Sequence, residues 1–514
     1  MTSDINTTGL PATKSTEAGY TFTTDQDDVR LSEMGYSSEL YRKFSLLSIL
    51  SVGFSISNSW WAVTGALVTG IMNGGAAIYI YGTILVALVH VAIGASLGEL
   101  ASAYPNAGGQ YYWVIMLAPE SYKRFLSYFT GVVSWAGAMI TGASVSLVVG
   151  QGVVGIIILC RPEITYHPWM AVIGYQMINM LVFFLNCYSR ILPNLSKASF
   201  YISLFSFLVI TLSILIASPQ KASIDSVFRG FSNFSGWDSN AICFFTGLLG
   251  VNWGFSCLDA CTHMAEELPK PDRNVPKAIL GTVAIGFVTS WVYSIAILFS
   301  IQDLDAIIET PTFVPNLELF KQALRGSIAG TIALEILVLL TGIGCLMSIH
   351  TWQCRLMWSF SRDNGFPFSS HLSRVAPAPY NVPLWAHIFS TFWIAVLGFL
   401  YLISTSAFGS LVTGCILMQY VSYTIPVVLL MLQNRKLSNP GPFRLGRWGW
   451  LANGILVGWA LFTLVFYSFP FVIPVTGGNM NYVSVVMAII FAELRTILLL
   501  REVNSMRINP RQVE

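Results

Sequence analysis

The sequence predicts an all-α integral membrane protein that crosses the bilayer twelve times. Three observations predict it. Hydrophobic residues make up 54% of the 514 positions and charged residues 10%, against about 25% charged in a soluble domain. The apolar residues fall in runs of about 20 or more, the length that spans a hydrocarbon core. The basic residues alternate from one side of these runs to the other.

Candidate spans lie at 44–71, 75–101, 125–156, 168–190, 193–217, 240–265, 277–301, 327–359, 383–404, 406–432, 449–471 and 481–501. Spans 3 and 8 are longer than a crossing needs, which predicts tilt or extension beyond the bilayer. With the amino terminus in the cytoplasm, the inner segments hold 22 of the 27 Lys and Arg residues; the outer loops hold the other five, Arg161, Lys221, Arg229, Lys321 and Arg325. A miscounted span would scramble this division, so it predicts twelve spans and cytoplasmic termini together. Residues 1–43 are polar, rich in Ser, Thr and Asp, and carry no cleavable signal; they read as a disordered cytoplasmic tail. The membrane domain then covers 44–501 and a second tail 502–514. Asn233-Phe234-Ser235 falls in an outer loop as a glycan acceptor sequence, used or unused.

Other function classes find little support. The eight cysteines are scattered without a CxxC pair, and the six histidines are dispersed. No metal-ligand spacing, nucleophile elbow or Gly-rich nucleotide loop is present. No metal, cofactor, catalytic activity or nucleic-acid partner is expected; membrane lipids are.

Three segments on the predicted inner face carry the most distinctive text. SLGELASAYPNAGGQYYW (96–113) follows span 2, DACTHMAEELPKPDRNVPKAI (259–279) joins spans 6 and 7, and SRDNGFPFSSHLSRVAPAPYNVP (361–383) joins spans 8 and 9. Pro105 and the Gly108-Gly109 pair break the helix and let the backbone turn closely. Glu99, Glu266 and Glu267 sit where Arg and Lys of neighbouring segments can pair with them. Such pairs serve a gate; static turns are the plainer reading.

Together and in this order, these segments resemble the amino acid–polyamine–organocation (APC) superfamily over residues 40–500, and within it the fungal amino acid/choline transporter family. The stretches NSWWAVTGALVTGI (58–71), LNCYSRILP (185–193), TVAIGFVTSW (282–291) and HTWQCRLMWSFSRDNG (350–365) look most like its choline permeases. The resemblance implies the LeuT-like five-plus-five inverted repeat: 44–217 and 240–432 as repeats, 449–501 as two appended helices, and spans 1 and 6 broken near the midplane to form the solute site. Both broken spans contain Gly-Phe-Ser, at 53–55 and 254–256.

The candidate site gathers around these breaks: Ser57, Asn58, Trp60 and Trp61 in span 1, and Trp253, Gly254, Phe255 and Asp259 in span 6. Trp135 in span 3 and Tyr420 in span 10, with Tyr423 beside it, belong to cavity-lining spans of that fold. No Lys or Arg lies in the middle of a span; Arg355 and Arg495 lie toward inner ends, where they can snorkel. Acids do lie deeper, Asp259 and Glu335, and this balance favours a cationic solute. Asp259 is read either as its counter-charge or as a cap for the second half of span 6. An aromatic cage suits a quaternary ammonium, which has no N–H to donate; each aromatic alone is as well explained by packing. Span 1 retains only Gly53 of the Gly-rich break that captures carboxylates elsewhere in the superfamily. Span 5 reads SFYISLFSFLVI (199–210), without the lysine of some proton-coupled members. His90 and His263 are left as packed or titrating residues.

The expectation is a plasma-membrane permease importing choline, with ethanolamine a second substrate, by alternating access. Coupling is open between a proton and no ion, since membrane potential alone can concentrate a cation. The alternatives are a permease for GABA or another amino acid, and a nutrient sensor that keeps the fold without transporting.

Overall fold

The computed structural model describes residues 26–500. Eleven helices among the described residues are long and apolar enough to cross a membrane: α1 Leu46–Gly65, α2 Ile78–Ala103, α3 Glu120–Cys160, α4 Pro168–Asn186, α5 Leu192–Ala217, α6 Asn240–Glu267, α7 Pro271–Ser300, α8 Ile328–Arg362, α9 Leu384–Ile403, α10 Thr405–Leu432 and α11 Trp448–Phe466. The expected twelfth span is the 18-residue helix α12, Val483–Leu500. Lys14, Arg501, Arg507 and Arg511, the tails 1–25 and 501–514, and the side chain of Arg495 lie outside the described residues. Large apolar side chains stand exposed on the outside of the bundle, among them Leu88, Phe184, Ile216 and Ile403. In water such a surface would be costly; against lipid it is the natural covering.

The packing repeats itself. α3 runs against α4 and α10, and α8 runs in the same way against α9 and α5. α1 lies on α7 and α6 lies on α2, while α2 meets α7 and α3 meets α8 across the repeat axis. Shifting every partner by five helices maps one set onto the other, which is the inverted repeat. α3 and α8, the equivalent pair, are also the longest helices, at 41 and 35 residues. At 1.5 Å per residue both exceed the bilayer core and must tilt or protrude.

Two expectations need correction and one is sharpened. The break in α1, expected between Val52 and Trp60, falls at Asn58, past the Gly-Phe-Ser of 53–55, with a left-handed φ of 35° and ψ of 60°. Asn tolerates that region, and it separates Leu46–Ser57 from Ser59–Gly65. Gly53 lies within the first half-helix, where a Cβ would stand 2.6 Å from Cys261 Sγ and 2.7 Å from Thr282 Oγ1. Its small size serves close packing on α6 and α7. The break in α6 falls where expected, between Asn240–Trp253 and the 3-10 helix Leu258–Glu267.

The leading segment is also more ordered than expected. Residues 26–33 form a helix, and 26–44 lie as a strap across the motif-bearing face. Arg30 donates to Asp272 at 3.1 Å and to the carbonyls of Ser102 and Ala103 at 3.0 Å. Leu31 and Leu40 are buried under it. A short amphipathic sequence with little apolar area reads as disordered; what holds it is charge complementarity to a surface the sequence alone does not display.

Arg355, finally, does not snorkel. It is 1% exposed and donates to Glu267 at 2.8 and 3.4 Å.

Candidate functional site

The two breaks lie against each other. Ser57 Oγ donates to the carbonyl of Ser256 at 2.9 Å, and Ser59 Oγ to that of Gly254 at 2.6 Å. A Cβ on Gly254 would stand 2.9 Å from Ala62 Cβ and 3.1 Å from Ser59 Cα, so only glycine permits this approach. Unwinding frees backbone groups that a membrane cannot hydrate, and side chains take them up. Gln419 of α10 accepts from the Cys257 amide at 2.8 Å, while its own amide donates to Thr141 of α3 at 3.3 Å. Asn58 Oδ1 accepts from Ser203 of α5 at 3.1 Å.

Asp259 lies one turn beyond the α6 break, with no measurable exposure. The Tyr423 hydroxyl donates to Oδ1 at 2.5 Å, and His263 Nε2 stands 3.2 Å from Oδ2. Its side chain therefore caps no backbone amide; Tyr423 of α10 and His263 hold it.

The motif-bearing face is shut. Arg362 forms a bidentate pair with Glu266, at 2.7 and 2.9 Å. Arg355 pairs with Glu267 and Arg435 with Glu99. Glu266 also accepts from the Ala107 amide at 3.2 Å, and the Ala107 carbonyl lies 2.7 Å from His263 Nδ1. The Pro105–Gly109 turn is thereby bolted to the inner half of α6; Gly109 takes φ 55° to make it. Arg362 also lies over the rings of Tyr36 and Trp358, at 4.1 and 4.5 Å. Just past α8, burial pushes the Asp363 carboxyl above its ordinary range, and the Arg362 guanidinium pulls it back. Tyr36 and Tyr111 each donate to that carboxyl at 3.0 Å. All three predicted gate acids thus have arginine partners, supplied by segments far away in sequence.

The opposite face is open. A vestibule of about 380 Å³ descends between α1, α3, α6 and α10. No charged side chain lines it; Ser144, Thr413, Ser410 and Asn481 supply polar groups, and Tyr401, Phe408 and Phe471 aromatic ones. Trp253, half-buried, lines its deep end.

The predicted aromatic residues separate. Trp253 lines the vestibule. Trp61 stands 5.9 Å from it, ring to ring, with its indole N–H on the Val338 carbonyl at 3.0 Å. Trp60 turns away to Ser203 and Tyr293. Phe255 faces His90, and Tyr420 donates to Asn252 at 2.8 Å beside His90 and Trp459. Trp135 packs on Phe366 and Phe389, away from the breaks. Glu335 is buried on α8 toward the open face, bonded to Asn316. Sequence reading missed Gln419, whose amide looks like any polar residue in a span, and the α10 residues 405–416, which show only apolar text punctuated by Ser and Thr. Asn233 uses both side-chain polar atoms, donating to the Trp237 carbonyl at 2.8 Å and accepting from Ser235 Oγ at 2.6 Å.

A helix bundle with two opposed broken helices, one sealed face and one open vestibule defines a membrane carrier of the alternating-access kind. The amino acid permease model matches residues 44–491, and the chain belongs to that family. Among its relatives is a choline transporter of Saccharomyces cerevisiae, 49% identical over 448 residues, covering 87% of this chain and 79% of that one. A GABA-specific permease of the same yeast is 26% identical over 473 residues, covering 90% and 81%. Among solved structures, the manganese transporter of Eremococcus coleocola matches in fold with a TM-score of 0.57 at 13% identity, covering 90% of this chain and 97% of that one.

Proposed function

We propose that this permease imports choline across the plasma membrane by alternating access, with ethanolamine as a second substrate. In this reading the motif-bearing face lies in the cytoplasm, which the distribution of basic residues supports. Residues 44–217 and 240–432 act as the two repeats and 449–501 as the appended pair.

The observation that carries the reading is the vestibule: it is uncharged and lined by the Trp253 ring, and the buried acid Asp259 follows six residues further along α6. A trimethylammonium group enters without repulsion and rests on the Trp253 indole, a contact worth about 0.5–2 kcal/mol. Beyond Trp253, the Asp259 carboxyl supplies the counter-charge, held by Tyr423 and His263. Ser57, Asn58 and Gly254 form the hinge where the half-helices tilt. Trp60, Trp61, Phe255 and Tyr420 hold that hinge from behind, and Trp135 supports α3 from outside. Glu99, Glu266 and Glu267 with their arginines form the inner gate. The similarity to a choline transporter, far higher than to a GABA permease, supports the cationic solute over a zwitterion.

The test is uptake of radiolabelled choline by choline-transport-deficient yeast expressing this chain, with unlabelled choline, ethanolamine and GABA as competitors. Saturable choline uptake that GABA leaves intact is expected. Uptake of labelled GABA without choline uptake would sink the reading, and binding of choline without uptake would favour a sensor.

A further inference from the structure

Glu335 takes no part in the path just described. It lies on α8 about 10 Å from the helix end nearest the open face and is 1% exposed. One carboxyl oxygen accepts from the Asn316 side-chain amide. The other lies over Gly152 of α3, where a Cβ would stand only 3.0 Å from it. The carboxyl borders a cavity of about 30 Å³, room for one water.

Apart from Glu335 itself, every side chain lining that cavity is uncharged. α1 contributes Trp61, Thr64 and Gly65, α3 contributes Val148 and Val149, and α8 itself Val338 and Leu339. Val314 and Asn316 come from the connection between α7 and α8. From α7, the titratable group facing Glu335 is the Tyr293 hydroxyl, bonded to Thr64 at 3.0 Å. Among the described residues no Lys, Arg or His lines the cavity. A carboxylate in such surroundings lacks the cation that offsets its desolvation elsewhere in this protein, as Arg355 does for Glu267. A proton neutralises it.

The cavity adjoins the vestibule. Gly65 and Val148 line both and so separate the two spaces. Trp61 and Gly65 belong to the half-helix Ser59–Gly65, and Trp61 also touches Trp253. Movement of that half-helix therefore changes at once the floor of the vestibule and the cover of the carboxyl.

We propose that Glu335 is a proton-binding site that couples proton entry to solute entry. This rests on the reading of the chain as a cation importer. With the motif-bearing face shut, the carboxylate takes a proton from the vestibule through this cavity, which has room for one water. When the half-helix tilts, the carboxyl is uncovered toward the other side and the proton leaves. One proton and one organic cation then enter per cycle, and the carboxylate returns to its starting state.

The test uses the full-length protein in liposomes loaded with a pH-sensitive dye. For the wild type, an inward choline gradient acidifies the lumen. The variant Glu335→Gln still exchanges labelled for unlabelled choline, but its proton flux is lost and its uptake no longer responds to external pH. Asn316→Leu, which removes the amide that favours the charged form, moves the pH midpoint of uptake upward. It serves independently if Glu335→Gln does not fold. Undiminished proton flux in Glu335→Gln, an unmoved midpoint in Asn316→Leu, or wild-type choline influx without proton movement overturns the inference. Choline exchange by the wild type separates these failures from failure of the transport reading itself, which removes both.

Discussion

At the scale of single residues, the proposed site divides the work of holding a cation between Trp253 and Asp259. Trp253 offers a π face to the vestibule, and Asp259 a carboxyl kept dry by Tyr423 and His263. Removing the indole by Trp253→Ala is expected to raise the Km for choline about tenfold, the equivalent of ~1.4 kcal/mol, with Trp253→Phe recovering part of it. Uptake kinetics at matched surface expression decide this; an unchanged Km in the Ala variant places the site elsewhere. Asp259→Asn keeps the hydrogen-bonding shape and removes the charge. Choline binding is expected to weaken while the protein still folds, read by scintillation proximity and melting temperature together.

Elements add what no residue has alone. Gly254 matters because the α1 and α6 backbones meet there. Gly254→Ala forces a methyl into Ala62 and the Ser59 backbone, and uptake is expected to collapse although the protein reaches the surface. The strap over residues 26–44 is held at Arg30 by Asp272 and by two carbonyls at the end of α2. Each partly buried charged bond is worth about 1–3 kcal/mol. Arg30→Ala should therefore raise amide hydrogen exchange across the strap while α3 and α8 stay protected. Equal exchange in both proteins would show that Leu31 and Leu40 alone retain it.

For the whole molecule, the sealed and open faces identify one state of an alternating cycle. A cysteine at Thr413 lines the vestibule. It is expected to react with a membrane-impermeant thiol reagent added on that side, and more slowly with choline present. The Arg–Glu pairs of the motif-bearing face are buried, so losing one partner strands a charge at a cost of about 3–5 kcal/mol. Glu266→Ala should lower the melting temperature and uptake; the exchange Glu266→Arg with Arg362→Glu should restore much of both. If the exchange restores nothing, the orientation of each partner matters beyond its charge, as the Ala107 contact to Glu266 suggests.

By itself, the sequence determined whatever depends on composition and local order. Runs of apolar residues place the spans because lipid forbids unpaired backbone and charge. Gly108-Gly109 marks a turn because Gly109 alone tolerates its positive φ. The arginine pairing of Glu99, Glu266 and Glu267 was legible because acids at helix ends between basic segments draw cationic partners. Tertiary structure decided which of the many similar residues face which space. Trp60 and Trp61 are neighbours in the chain, yet one packs toward α5 and α7 and the other toward α8 and Trp253. In a helix adjacent positions diverge by about 100°, and in lipid both faces are apolar, so the usual inside–outside pattern is silent. The choice of Asn58 within 52–60 as the α1 break, Gln419's hold on the Cys257 amide, and the ordered strap share that cause. Each depends on a partner more than a hundred residues away, or on one brought close only by the fold.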